Sequence, residues 1–413
     1  MLGNKKVFLF LFSDDAFLVC EKRDRDDILK QIFTFLVLIG YPLTEKKFWF
    51  EENCLWLGFE LNLQAKSARI FEVKRLFTLE KLEKVKISKK VSREEVDSLT
   101  GSLQWTSQLS PFLRPFLASL YNMMASGTAL VKVPSSVLDD LEPWEHFLRR
   151  QDFVKPMVTP IGSPPAVIFT DACAKGGFDT VGSNWQSPWG IGGFLLNNKR
   201  EVINWFACEV TVDDFPWLRH IDEPHKVIAF MELLATTIAT DLWCRTNTID
   251  EALVEFAFPS LSTDNLGNVF ILQKFYTNKP PIVFLLHAFA ILCLKRKIKP
   301  IVSHLKGDAG NFTELADKLS RNLTTLDPAT RTQVVLRKIS WLNSVRERPE
   351  VKNCVFRKKT QLKNTAKGGG VRVTIKKRLP RRQRALRKEK RRVRELEIAR
   401  EVKERSRKSA QSA

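Results

Sequence analysis

The sequence predicts a chain of mixed class, α/β and α+β, that ends in a basic tail. Three observations predict it. Residues 166–321 read β-β-β-α-β-α-β-α once the two helical stretches around Pro280-Pro281 are counted as one broken element. Residues 74–125 read as mainly helical, after a segment rich in strand signals. Charge is sharply divided along the chain. Of 413 residues, 67 are Lys or Arg and 46 are Asp or Glu, a net of +21. Residues 351–413 hold 24 of the basic residues against 5 Glu, which leaves only +2 for residues 1–350.

These numbers bound the chain. At roughly 150 residues per domain the length predicts two or three folding units. Hydrophobic content of 44% with 27% charged residues is that of a globular protein, not a disordered one. The seven cysteines are odd in number, widely spaced and without a CxxC pair. That pattern excludes a disulfide framework and a zinc ribbon, and favours a reducing compartment, cytoplasmic or nuclear. The longest apolar stretches, Val7–Phe12 and Pro281–Leu294, fall short of the ~18–20 residues a membrane span needs. Asp14 and Asp15 interrupt the N-terminal apolar run, so no signal peptide and no membrane partner are expected.

Each element follows from local pattern. VFLFLFSDDAFLVC, residues 7–20, is two apolar runs around a polar turn, a hairpin signal. From Asp26, apolar residues at 28, 32, 35, 36 and 39 have helical spacing, and Gly40 supplies a C-cap. Phe48–Phe50 and Cys54–Leu63 read as strands, and 62–67 as a polar bend before another. Ser92-Arg-Glu-Glu95 is a capping box opening a helix toward Gly101, and a second helix follows Pro111. Prolines crowd 131–165, and a linker is expected around 150–165. Strands follow at AVIFTD, WGIGGFLLNN and EVINWFAC, then a helix over 223–245. A short strand lies within 257–264, helices over 267–276 and 283–296, a strand over 299–304 and a last helix over 311–321. Beyond the Lys367-Gly-Gly-Gly joint, residues 381–407 are charged on every face, so any helix there is solvated.

Four carboxylates sit at the edges of these elements: Asp171, Glu232, Asp264 and Asp317. They are 61, 32 and 53 residues apart, so only a fold could unite them. Brought together they would repel unless cations lay between them. Two Mg²⁺ (or Mn²⁺) ions about 3.5–4 Å apart would neutralise them and activate water at a phosphodiester. Oxygen ligands alone suit these ions rather than zinc.

FTDACAKGG, ELLATTIAT, STDNLGNV and HLKGDAGNFTELADKLSRN resemble the four signature segments of the ribonuclease H domain of retroelements. The resemblance implies that Asp171, Glu232, Asp264 and Asp317 are the catalytic and metal-binding carboxylates. It implies hydrolysis of the RNA strand of an RNA–DNA hybrid by two metal ions. Where cellular members carry a His in a KGHAG-like loop, this chain has Asp308, with His304 a few residues earlier.

The upstream segments extend the resemblance to the reverse transcriptase of DIRS-like or related retrotransposons. Phe12-Ser13-Asp14-Asp15 resembles the YxDD hairpin. Lys46 and Lys47 after Gly40 resemble the segment whose lysine protonates pyrophosphate. Leu55–Leu61 resembles the primer-grip hairpin, and residues 99–121 a thumb/connection segment. Only 13 residues precede Asp14, too few for the fingers and the upstream palm carboxylate. Asp14, Asp15, Lys46 and Lys47 are therefore expected to be a remnant polymerase site without DNA synthesis, unless a separate chain supplies the missing palm and fingers.

The implied fold is a partial palm and a thumb/connection, then a ribonuclease H-like mixed-sheet domain, with a basic, helical or disordered tail. The expected segments are 1–73 (palm), 74–150 (thumb/connection), 151–165 (linker), 166–325 (nuclease), 326–350 (linker) and 351–413 (tail). In the tail, Lys376, Lys377 and Arg378, with Arg381 and Arg382, are expected to bind nucleic acid through phosphates, without sequence preference and with strong salt dependence. The alternative is a decayed element fragment that only binds nucleic acid. Trp185, Trp189 and Trp217 could stack on bases or lie buried, and burial is favoured. His220 and His225 flank Asp222-Glu223 and fit a surface loop better than a metal pair.

Overall fold

The computed structural model describes residues 7–12, 15–40, 53–125, 130–150, 155–156, 167–175, 184–244, 259–296, 298–304, 311–323 and 326–346. In chain order the first half holds β1 (Val7–Phe12), β2 (Asp15–Cys20), α1 (Arg25–Leu38), β3 (Asn53–Trp56), β4 (Phe59–Asn62), β5 (Ser67–Ile70), α2 (Glu72–Ile87), β6 (Lys90–Ser92), α3 (Arg93–Thr106), α4 (Ala118–Ala125), β7 (Leu130–Lys132), α5 (Ser135–Arg149) and β8 (Lys155–Pro156). The second half holds β9 (Val167–Ala174), β10 (Trp189–Leu196), β11 (Val202–Val210), α6 (Ile228–Trp243), β12 (Ser260–Thr263), α7 (Leu266–Lys274), α8 (Ile282–Arg296), β13 (Ile301–His304), α9 (Asn311–Ser320) and α10 (Asn343–Arg346). The chain divides into two compact units.

The first unit contains the described residues up to Glu80 and those of 147–159. Strands β1 and β2 form the expected hairpin, in register from Val7↔Cys20 to Phe12↔Asp15. Helix α1 ends where Gly40 adopts φ +69° and its N–H donates to the Val37 carbonyl at 3.0 Å. Strands β3, β4, β5 and β8 form one antiparallel sheet. The single strand expected over 54–63 is two, broken by Leu57 and Gly58 at φ +50° and +83°. A two-residue hairpin turn of type I′ needs positive φ at both positions. Glycine announces that; leucine hides it, because an L side chain rarely enters that region.

The second unit joins the described residues of 81–146 to those after 160. The capping box forms in full: Glu95 N–H donates to Ser92 Oγ at 3.2 Å, and Ser92 N–H donates to Glu95 Oε2 at 2.9 Å. Helix α3 does not stop near Gly101 but continues to Thr106. Buried Val96, Leu99 and Leu103 line one face, and their packing outweighs the ~1 kcal/mol a mid-helix glycine costs. Ser92→Ala is expected to lower stability by about 1 kcal/mol in denaturant unfolding, since one cap donor loses its partner. Helix α5 lies in the proline-rich stretch. Its apolar stripe of Val137, Leu141 and Trp144 prevails over Pro143 inside it.

A five-stranded mixed sheet in the order β11-β10-β9-β12-β13 is the centre of this unit. β9, β10 and β11 are antiparallel neighbours, while β12 runs parallel to both β9 and β13. The element order is the β-β-β-α-β-α-β-α read from sequence. Along β9, Thr170 bonds Thr236 of α6 through their hydroxyls at 2.9 Å, while Cys173 donates to the Ser320 carbonyl of α9 at 3.0 Å. Even and odd strand positions therefore meet α6 and α9 on opposite faces. Ala316 and Leu319 of α9 pack with Phe169, Phe194, Leu196, Trp205 and Ala207 of the strands beneath, all buried. The helical segment packs on the same unit through α8. His287 Nε2 is 3.0 Å from the Pro115 carbonyl oxygen, its Nδ1 is 3.6 Å from Asp140, and Phe116 stacks on its ring at 4.5 Å. Among the described residues no helix is long and apolar enough to cross a membrane.

Candidate metal centre

Asp171, on the central strand β9, is 9% exposed; Glu232, in the first half of α6, is 7% exposed. Asp264 directly follows β12. The parallel register pairs Ser262 with Phe169, so two residues further on Asp264 falls level with Asp171. One carboxylate oxygen from each of the three lies within 4.8 Å of the others. Asp264 is exposed, which leaves the trio open to solvent on that side.

The electrostatics are those of crowded anions. Burial, then the charges of Asp264 and Asp317, raise Asp171 well above the ordinary carboxylate range. Burial, Asp264 and Asp171 push Glu232 up to about 9. Desolvation raises Asp264 too, with Asp317 adding to it. Like charges this close keep their protons unless a cation compensates them. The donor set is all carboxylate oxygen, which suits a hard divalent cation. A divalent cation therefore fits the residues present.

Asp317 sits beside this trio rather than in it. Its Oδ1 accepts a bond from Arg321 Nε at 2.9 Å, one helical turn on. Its charge still reaches Asp171 and Asp264. The same turn of α9 touches the trio through Ser320, whose hydroxyl is 3.3 Å from Asp171 Oδ2 and 2.8 Å from the Asp317 carbonyl oxygen. This approach needs glycine on β10. A Cβ at Gly192, which pairs with Asp171 across the ladder, would lie 2.5 Å from Ser320 N. One at Gly190 would lie 2.2 Å from the Ser320 carbonyl oxygen.

Residues that sequence reasoning missed complete the surroundings. Asn268, 1% exposed, donates through Nδ2 to Glu232 Oε2 at 3.2 Å and to the Ala229 carbonyl at 2.9 Å. Ser320 and Arg321 stand three and four residues after Asp317, a spacing that puts them on its helix face and could have flagged them. Asn268 follows the cap residue Asn265 by three, and Asn265 Oδ1 accepts its N–H at 3.0 Å. That spacing explains its backbone but not its side chain.

The remaining site expectations fare differently. His304 Nε2 is 2.8 Å from the Asp264 carbonyl oxygen, so it supports the loop that carries a trio member. Trp189 and Trp217 are buried, and Trp185 donates through Nε1 to the Ser320 carbonyl at 2.7 Å. His225 pairs with Glu223 at 3.2 Å on an exposed turn. Asp15 begins β2 opposite Phe12. Asp14, Lys46, Lys47, Asp308, Lys376, Lys377, Arg378, Arg381 and Arg382 lie outside the described residues.

No protein-family model matches this chain, and no curated protein matches it. Solved structures do. Ribonuclease H1 from the halophilic archaeon Halobacterium salinarum NRC-1 is 13% identical over 38% of this chain and 96% of its own, with a TM-score of 0.26. LC11-RNase H1 in complex with an RNA/DNA hybrid is 15% identical over 38% and 99%, also at 0.26. The foamy viral protease-reverse transcriptase in complex with double-stranded DNA is 16% identical over 72% and 54%, at 0.31.

Proposed function

We propose that this chain is a retroelement reverse transcriptase/ribonuclease H region whose second unit hydrolyses the RNA strand of RNA–DNA hybrids. One observation carries the reading: Asp171, Glu232 and Asp264, far apart in sequence, offer oxygens within 4.8 Å of one another at the open end of a mixed sheet. The four signature segments, in their order, support the same assignment. These three residues would hold the first Mg²⁺ or Mn²⁺, and Asp317 would join them at the second. When bound, two such ions supply an activated water and stabilisation of the leaving oxygen.

The chain's own residues do the rest. Asn268 fixes the Glu232 carboxylate from the α7 side. Ser320 fixes Asp171, and Arg321 holds Asp317 at the rim. The body, at +2, has little general attraction for phosphate. We assign that role to the basic tail. Removing 352–413 is expected to weaken hybrid binding at low salt and to flatten the slope of log affinity against log salt; an unchanged slope would refute the role.

The test is an end-labelled hybrid incubated with the purified chain and Mg²⁺. The expected result is cleavage of the RNA strand, an intact DNA strand, and arrest by a chelator. Cleavage that ignores chelation, or none at all, would overturn the proposal.

A further inference from the structure

The second unit has an open cleft of about 680 Å³ that the metal centre does not use. Gly101 and Gln104 of α3, Arg114 of the following 3₁₀ turn, Tyr121 of α4, and Lys274 and Tyr276 at the end of α7 line it. The Tyr121 hydroxyl bonds Gln104 Oε1 at 2.8 Å, and its ring meets Tyr276 edge-on at 5.9 Å. Arg114 reaches the Lys274 carbonyl at 3.4 Å. Gln104, Lys274 and Tyr276 are exposed. Aromatic rings, cations and amides thus share one opening, and no carboxylate is among its described lining. That combination suits phosphates together with bases whose faces are free, the chemistry of an unpaired strand rather than a duplex.

Gly101 adds an independent observation. Glycine inside a helix weakens it. A Cβ there would meet nothing within 4 Å, so packing does not demand glycine. Its effect is to leave the wall of the cleft without a side chain. Such a local departure from helix preference, with no packing reason, is expected where a ligand approaches.

Helix α7 links the cleft to the metal centre. It starts two residues after Asp264 and ends at Lys274. Leu266 and Phe270, 49% and 50% exposed, lie on one face with Lys274, whose ammonium sits 5.8 Å over the Phe270 ring. Nine residues of helix span about 13 Å. That is about four nucleotides at the ~3.4 Å spacing of a stacked strand.

We propose that this cleft holds unpaired nucleotides of the strand whose neighbouring paired phosphodiester lies at the carboxylates. The proposal rests on the nuclease reading above. It adds a second class of ligand, a single-stranded extension of the hybrid.

The test compares a blunt hybrid of about ten base pairs with the same hybrid carrying about six unpaired nucleotides, on either strand and at either end. Affinity is read by fluorescence anisotropy with metal chelated, so that no strand is cut. An extension of one polarity is expected to tighten binding roughly tenfold, the worth of stacking one base. Gly101→Leu, which projects a side chain from the bare wall into the cleft, and Tyr276→Ala are each expected to abolish that increment and leave blunt-hybrid affinity unchanged. Gly101→Leu should also keep or raise the melting temperature, so its effect cannot come from misfolding. The proposal is overturned if no extension tightens binding, if the increment survives both variants, or if they weaken blunt and extended hybrids alike. An increment without RNA cleavage would instead remove the nuclease reading, and cleavage without an increment would remove only the cleft.

Discussion

Gly192→Ala is expected to destabilise the second unit by about 1–3 kcal/mol, the usual cost of overpacking, and to lower its melting temperature by roughly 3–10 °C. The added Cβ would lie 2.5 Å from Ser320 N and 2.6 Å from Leu319 C. Both are backbone atoms, so the conflict ends only if α9 lifts from β10. Lifting α9 takes Ser320 off Asp171 and moves Asp317 and Arg321 with it. Hybrid cleavage should therefore fall more than the remaining folded fraction accounts for. Gly101→Ala, made beside it, is expected to be neutral or stabilising by up to ~1 kcal/mol. The same replacement then has opposite signs because one Cβ meets backbone and the other meets open space. Equal effects at the two positions would contradict this description of α9.

The second large effect is a coupling of stability to pH and metal. In the metal-free protein Asp171, Glu232 and Asp264 hold their protons more tightly when folded than when unfolded. Below the ordinary carboxylate range both states are protonated, and the folded trio bears no charge. As pH rises from about 4.5 toward about 9, the unfolded chain releases these protons first, so stability is lost across that window. Mg²⁺ competes with the protons for the same oxygens. It should stabilise the protein strongly at the alkaline end of the window and little at the acid end. Melting curves with Mg²⁺ or chelator at each end would show this. Glu232→Gln, which cannot ionise, should flatten the metal-free slope. A slope identical to that of the unaltered protein would contradict the assignment.

Much of this architecture was legible in the sequence, for reasons that can be named. Helix α3 announced its start through Ser92 and Glu95, because a cap is a local bond between near neighbours. The strands β9 to β11 announced themselves by apolar runs bounded by polar turns. What stayed hidden was either non-local or masked by an uncooperative residue. The turn at Leu57 and the continuation of α3 past Gly101 belong to the second kind. The close passage of α9 over Gly190 and Gly192 belongs to the first. A glycine-rich strand gives no hint of which backbone will approach it. Of the four expected carboxylates, the structure gathers Asp171, Glu232 and Asp264 and places Asp317 on Arg321. The i,i+4 spacing permits that pairing, but only the fold shows the carboxylate turned toward Arg321 rather than into the trio.

The most direct test is cleavage of an RNA–DNA hybrid in Mg²⁺ by the unaltered chain and by Asp171→Asn, with both melting curves recorded. Asparagine keeps the shape at position 171 and removes the charge that a cation would meet. The expected result is RNA cleavage by the unaltered chain and a loss of roughly 10²–10³-fold in the variant, the scale on which removal of a single electrostatic contributor acts. The metal-free variant should melt no lower, because asparagine is neutral without having to hold a proton. Equal cleavage rates for the two proteins would contradict the account.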